Sequence, residues 1–273
     1  MKREREAVEL YHDRVAGIYD TIYEGNPYWE TVFTITWHNI LKHLPKDMGT
    51  RCLDVGCGTG KWGCMLLKTG YACDFLDISQ KMLDQAARKA RNLDRLPAEP
   101  RFFHTSLADL SALPKENYGF IVGQGDPLGS CGRVEKALKE LYRIMTPGGV
   151  MLMSVDNVYG GLYHMMKEGN LDELESFIRT GRTNWVTDEE KQQYDIQAFT
   201  PEKIRELCAG RGLEVVSIIG KTILPLRRFQ EQLRDRAVRE RVIKLEEKLN
   251  SREACLGCAA HLEFVARKPV DAK

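Results

Sequence analysis

The sequence predicts an α/β fold: a parallel sheet with helices on both faces. Two observations carry this. Between residues 51 and 156, short apolar runs alternate with amphipathic helical patterns, and such alternation builds parallel β-α-β units covered on both sides. The first run, moreover, passes straight into a glycine turn, LDVGCGTG at residues 53–60, which opens a helix.

The elements follow in order. Residues 6–20 (EAVELYHDRVAGIYD) read as a short helix ending at a turn, and residues 28–44 (YWETVFTITWHNILKHL) as a second helix, stopped by Pro45. RCLDVG is a strand; KWGCMLLKTG is a helix ended by Gly70. YACDFLDIS is a strand running into a helix cap at Ser79. The next helix places Met82, Leu83, Ala86, Ala87 and Ala90 on one stripe. RFFHTSL and YGFIVGQG are the third and fourth strands. Residues 131–146 put Val134, Ala137, Leu138, Leu141 and Met145 on one helical face, and TPGG turns into the strand VMLMSVD. Two stretches interrupt the alternation. Residues 157–199 hold two short helices before a helix that opens at Thr200-Pro201. Residues 223–250 are arginine-rich and amphipathic, with Phe229, Leu233, Val242, Leu245 and Leu249 to one side, and lie between the strands LEVVSIIG and HLEFVARK. The expected organisation is thus a helical segment 1–45, a core 46–156, a helical insertion 157–199, and the rest of the core at 200–273 with its own helical insertion 223–255. Ligands of parallel sheets sit beyond the carboxyl ends of the strands, so insertions after late strands are candidate lids.

Composition narrows the classes. The chain has 273 residues and net charge +1, which gives no support to a broad nucleic-acid surface. No apolar run approaches the roughly 18–20 residues of a membrane helix. MKREREAVEL has no apolar signal region. Eight scattered cysteines fit reduced thiols and a cytoplasmic location better than a disulfide framework. Cys255 and Cys258 form a CxxC without a second pair at finger-like spacing. They are read as small residues leading into the last strand, and no metal is expected.

The glycine turn has the spacing Asp54-x-Gly56-x-Gly58-x-Gly60. A dinucleotide fingerprint would need a third glycine where Lys61 stands, and a P-loop would need a hydroxyl where Trp62 stands. Asp54 would repel a pyrophosphate but suits a ligand carrying an ammonium and a sulfonium. At the end of the second strand, Asp77 can accept hydrogen bonds from both hydroxyls of a ribose.

With the turn LDVGCGTG, the acid in DFLDIS, the loop after FFHTS, the strand FIVGQGDPL and the block LYRIMTPGGVMLMSV in that order, the chain resembles the class I S-adenosylmethionine (SAM)-dependent methyltransferases over about residues 11–268. The resemblance implies a Rossmann-like, seven-stranded, mostly parallel sheet with an antiparallel last strand and helical lid insertions. It implies SAM as cofactor and S-adenosylhomocysteine (SAH) as product. Carried over, Asp54, Gly56, Cys57, Gly58 and Gly60 line the methionine part, Asp77 holds the ribose, Ile78 packs on the adenine with Met82 behind, Ser106 and Leu107 flank the adenine, and Gln124 begins the loop beneath the sulfonium. Many relatives have aspartate where Ser106 stands. Tyr11 and Tyr19 resemble the N-terminal lid of small-molecule members.

Methyl transfer needs alignment and exclusion of water, and a base only where the nucleophile must lose a proton. Relatives that methylate amines in DNA or proteins carry an aromatic residue where Leu128 follows Asp126-Pro127. Asp126 is a candidate base or cation site, and equally a turn cap. His164 is a second catalytic candidate. Trp37, His38, Asn157, Tyr163, Arg227 and Arg228 are candidate substrate contacts. The C-terminal layout is similar to bacterial methyltransferases that esterify the carboxymethoxy group of wobble uridine in tRNA. Two acceptors follow: a small molecule in a lidded pocket, which is favoured, or tRNA on a basic surface. From Arg227 to Lys248 there are eight basic and five acidic residues, a modest excess for RNA.

Overall fold

The computed structural model describes residues 7–186 and 193–270. In chain order the elements are α1 (Ala7–Val15), α2 (Tyr19–Tyr23), α3 (Pro27–His43), β1 (Cys52–Val55), α4 (Lys61–Lys68), β2 (Cys73–Asp77), α5 (Gln80–Arg91), β3 (Phe102–His104), β4 (Tyr118–Gly123), α6 (Val134–Ile144), β5 (Met145–Asp156), α7 (Val158–Glu168), α8 (Leu171–Thr180), β6 (Arg182–Val186), β7 (Gln193–Gln197), α9 (Pro201–Ala209), β8 (Glu214–Lys221), α10 (Arg236–Leu249), α11 (Glu253–Leu256) and β9 (His261–Arg267). A seven-stranded sheet runs β3-β2-β1-β4-β5-β9-β8. β3, β2, β1, β4 and β5 are parallel neighbours, and β9 is antiparallel to both β5 and β8. This is the Rossmann-like sheet with an antiparallel last strand that the sequence implied.

Strand parity explains why both faces are covered. Leu53, Val55 and Ile121 point into a core with Ala137, Leu138 and Leu141 of α6 and Ile204 and Cys208 of α9. Cys52, Phe120 and Val122 point the other way, toward Leu66 of α4, Leu83, Ala86 and Ala90 of α5, and Ile40 of α3. Successive side chains of a strand alternate faces, so apolar residues at consecutive positions need a layer on each side. The helix starts follow their caps. The Ser79 hydroxyl accepts from the Met82 N–H at 3.2 Å, and the Thr200 hydroxyl from the Lys203 N–H at 3.2 Å with Pro201 at the first helical position.

Four expectations change. The helix expected within 6–20 does end at a turn, at residues 16–18 around Gly17, the residue least favourable in a helix after proline, but a second short helix, α2, follows it. Residues 157–199 hold, besides two helices, the antiparallel pair β6–β7; its strands are five residues each, and only QYDIQ alternates. In the 223–250 stretch, two 3-10 turns precede α10, which starts only where the Asp235 carboxylate accepts from the Ala237 and Val238 N–H groups. TPGG lies within β5, which passes Tyr118 with a shift of register.

At the amino ends of the strands, buried Asp74 on β2 accepts from Arg51 at 2.7 and 2.8 Å, from the Arg101 guanidinium at 2.6 and 3.0 Å, and from the Tyr118 hydroxyl at 2.9 Å. Burial alone would raise its pKa, but the two guanidiniums and these hydrogen bonds hold it below the ordinary carboxylate value. Its stabilising contribution is therefore present above the ordinary value and lost as pH falls through the lowered one. Asp74→Ala leaves two arginines facing an apolar gap and is expected to cost about 3 kcal/mol. Urea unfolding of wild type and variant at pH 7 and pH 3 checks this: the difference between the two proteins shrinks at pH 3.

Candidate functional site

Strand order reverses between β1 and β4: the chain leaves β1 toward β2 and β4 toward β5. At such a switch point the loops at the carboxyl ends diverge and open a crevice. Here it holds a cavity of about 730 Å³ with its mouth included. Its floor is the β1–α4 turn with Gly56 and Gly58, one wall is Asp77 and Ile78 with Ser106 and Leu107, and the opposite wall is Gln124, Asp126 and Pro127. The N-terminal segment (Val8, His12, Tyr19) and β7 (Tyr194, Ile196) close over it.

The glycines are sterically required. Gly56 has φ +60°, and a Cβ there would sit 2.4 Å from Cβ of Pro127. Gly60 has φ +83° at the start of α4, and its Cβ would sit 2.7 Å from Cβ of Ala86. Any side chain would drive the turn away from the β4 loop or from α5.

Three buried carboxylates surround the turn. The Asp77 oxygens accept from the N–H groups of Gly58 and Ser79, each at 2.8 Å. Burial raises its pKa, and His12 and these N–H groups oppose the rise. Asp54 lies beneath the turn and accepts from the Gly63 N–H at 2.7 Å, while its Oδ1 has no partner. Burial pushes it up to about 8 despite that bond, and the charge of Asp77 adds to the push. Asp126, in the left-handed region at φ +60°, accepts from the Gly129 N–H at 2.8 Å and the Asp156 N–H at 3.3 Å. Burial and the neighbouring Asp156 raise its pKa well above the usual range.

Two aspartates fasten the N-terminal helices over the cavity. Asp13 accepts from the Ser79 hydroxyl at 2.6 Å. Asp20 accepts from the Thr59 hydroxyl at 2.6 Å and pairs with Lys89 at 2.5 Å. The rings of Tyr11 and Tyr194 stand 5.7 Å apart, those of Tyr19 and Tyr23 5.1 Å.

The remaining sequence candidates fall as follows. Cys57 is buried in the turn, and its thiol donates to the Gly58 carbonyl. Met82 is fully buried on α5. Gln124 accepts at Oε1 from Lys221 Nζ at 2.8 Å, and its Nε2 has no partner. Asn157 caps α7 through the Tyr159 N–H and donates to the carbonyls of Leu256 and Ala259 at 2.8 and 2.7 Å, so its amide is engaged by the backbone. His38 bonds Glu247 of α10 at 2.7 Å, and Trp37 packs against the α3–α4 side of the core; neither lines the cavity. Arg227 lies 4.4 Å above the Tyr28 ring and 5.5 Å from that of Trp29, and Arg228 is exposed beside it. The side chains of Tyr163 and His164 lie outside the described residues. Sequence reading missed His12, Tyr194 and the buried network of Lys221, Glu263 and Asn39. His12 sits in the flagged segment YHDRVAGIYD; Tyr194 had no local signal.

The fold and the cavity define a doubly wound α/β protein with a crevice at its switch point. Residues 52–149 match the methyltransferase domain family. The chain is similar to an uncharacterized protein of Methanocaldococcus jannaschii (28% identical over 235 residues, 83% of this chain and 85% of that one). It is similar to the tRNA 5-carboxymethoxyuridine methyltransferase of Escherichia coli K12 (24% over 242 residues, 86% and 87%). A solved SAM-dependent methyltransferase of Methanosarcina mazei has the same fold, with TM-score 0.61 at 17% identity, covering 85% of this chain and 98% of that one. The chain thus carries a methyltransferase domain at residues 52–149 on the fold of the class I SAM-dependent methyltransferases.

The raised Asp54 value has a signed consequence. A carboxyl held about 8 in the folded state keeps its proton where the unfolded chain has lost it. Its contribution is full below the ordinary carboxylate value and is lost as pH rises through about 8. Asp77 and Asp126 shift in the same direction. The melting temperature of the free protein is therefore expected to fall from pH 5 to pH 9. Asp54→Asn is expected to flatten that fall, as read by calorimetry across the range.

Proposed function

We propose that this cavity binds SAM and methylates a small-molecule acceptor. The observation that carries the reading is the charge of the walls: among the described residues lining the cavity, none is lysine or arginine. A polyphosphate or a nucleic-acid backbone would call for such cations, whereas the single carboxylate of SAM can be held by backbone N–H groups at the start of α4. The residues present fit SAM. The glycine turn presents bare backbone at the cavity floor, and Asp77 retains lone pairs for two ribose hydroxyls. In this reading Asp54, Gly56, Cys57, Gly58 and Gly60 form the methionine cradle, and Ile78, Ser106 and Leu107 the adenine slot, backed by Met82. Gln124 lies under the sulfonium, and Tyr11 and Tyr19 close the top. When bound, SAM supplies the electrophilic methyl group; the protein orients the acceptor against it and excludes water. Asp126 is the base that takes the acceptor's proton.

The 24% identity to the E. coli enzyme favours a second reading, tRNA methylation. The charge arrangement of the C-terminal insertion weighs against it. Arg227 is stacked on rings, Arg234 pairs with Glu231 at 2.9 Å, Arg236 with Glu240 at 2.9 Å, and Arg239 with Glu30 of α3. Guanidiniums already engaged by carboxylates release few counterions on meeting phosphates.

Radiolabelled SAM incubated with tRNA and with a filtered metabolite extract, both from cells lacking the protein, is expected to label the extract alone. Label in tRNA sinks the small-molecule reading. Asp77→Ala is expected to weaken SAM by about tenfold or more, on the scale of one charged hydrogen bond; unchanged affinity by titration calorimetry refutes the ribose assignment.

A further inference from the structure

We infer that the methyl acceptor is an amine that enters as its ammonium form and is held by Asp126 and the tyrosines that share its cavity. The inference rests on the methyltransferase reading of the cavity. Tyr19, Tyr194 and Asp126 line the same cavity, with the Tyr11 ring 5.7 Å from that of Tyr194 and the Tyr23 ring 5.1 Å from that of Tyr19. The Tyr194 hydroxyl is within electrostatic reach of both Asp126 and Asp156, and it shares that environment with Tyr11 and Tyr23. A buried acid and two phenol rings thus share one cavity, with a second acid, Asp156, near the Tyr194 hydroxyl. Ring faces carry negative potential and attract cations, most strongly where water is excluded. Asp126 reaches this position at a backbone cost, with φ +60° in a non-glycine residue. Both of its oxygens are steadied by N–H groups, not by a side-chain cation.

The other charged groups around this space agree. His12 lines it, and its Nδ1 is taken by the Val8 carbonyl at 2.8 Å. His261 bonds Asp156 at 2.8 Å from the outer side. The ammonium of Lys221 is turned to Gln124 Oε1 and to Glu263 at 3.1 Å, so it is held within its own ion pair. Leu128, where related enzymes for DNA and protein nitrogens carry an aromatic ring, is buried in the core instead. The rings here come from α2 and β7, elements far apart in sequence.

The proton step is simple. The ammonium N–H transfers its proton to the Asp126 carboxylate, leaving a neutral amine and a carboxylic acid. The lone pair released on nitrogen is the nucleophile that methyl transfer requires. A buried carboxylate prefers its protonated form, so Asp126 is a stronger base than an exposed one.

The test is binding, separate from turnover. Protein saturated with SAH is titrated at pH 7 with phenethylammonium, phenethyl alcohol or 3-phenylpropionate in a calorimeter. The ammonium is expected to bind about tenfold more tightly than the alcohol, the scale of a desolvated cation–π contact beside a carboxylate, and the carboxylate not to bind. Asp126→Asn and Tyr194→Leu should each reduce this preference, with SAH affinity retained; Tyr194→Phe should keep it. Tyr194 lies on β7, in a two-stranded sheet separate from the seven-stranded one, so its variants test the proposal even where Asp126→Asn does not fold. Equal or weaker binding of the ammonium than of the alcohol, or binding of the carboxylate, overturns the amine. Failure of wild-type protein to bind SAH overturns the underlying methyltransferase reading of the cavity instead, a result the same titration distinguishes.

Discussion

The close approach of the β1–α4 turn to the β4 loop is the constraint on which the rest depends. β1 and β4 are hydrogen-bonded neighbours, so the loops leaving them start side by side. They stay in contact because Gly56 presents no side chain to Pro127. That contact sets the floor of the cavity. It also points the backbone N–H of Gly58 at Asp77 and places Asp126 across from the turn. The N-terminal helices are then pinned across this floor by Asp13 and Asp20, which reach the start of α5 and the glycine turn itself.

Charge is segregated across the sheet. At the amino ends of the strands, Asp74 is neutralised by two arginines. At the carboxyl ends, Asp54, Asp77 and Asp126 are buried with backbone N–H groups as their main hydrogen-bond partners. The first arrangement stabilises the fold; the second keeps carboxylates ready to meet positive charge. A protein that binds a sulfonium gains from such walls, because a lysine or arginine among them would repel the ligand. The one buried lysine close by, Lys221, is compensated by Glu263, which also accepts from Asn39 of α3. Strands β8 and β9 are thereby tied to the N-terminal layer without adding net charge to the cavity.

Much of this could be read locally. The alternation of strands and helices, the caps at Ser79 and Thr200, and the glycine turn are patterns within a few residues, and backbone physics acts at that range. The pair β6–β7 was missed because QYDIQ alternates over only five residues, with Tyr194 and Ile196 on one face, and RTNWV does not alternate; their pairing is decided by what they pack against. The turn that ends the first helix at Gly17 was visible as a propensity; the short helix α2 beyond it was not. For the site, Ser106, Leu107 and Ile78 follow from their position after a strand. Asn157 and His38 look like site residues in sequence, yet partners supplied by the C-terminal segment engage them.

The sequence by itself determined the sheet, its direction and the turn that opens the crevice, because each depends on neighbours along the chain. Tertiary structure alone decided what stands above that crevice. Tyr19 and Tyr194 line one cavity with Asp126 although 174 residues lie between the two tyrosines in the chain. Their meeting depends on the docking of α2 and β7 against the core, and no local pattern records which distant elements will share one wall.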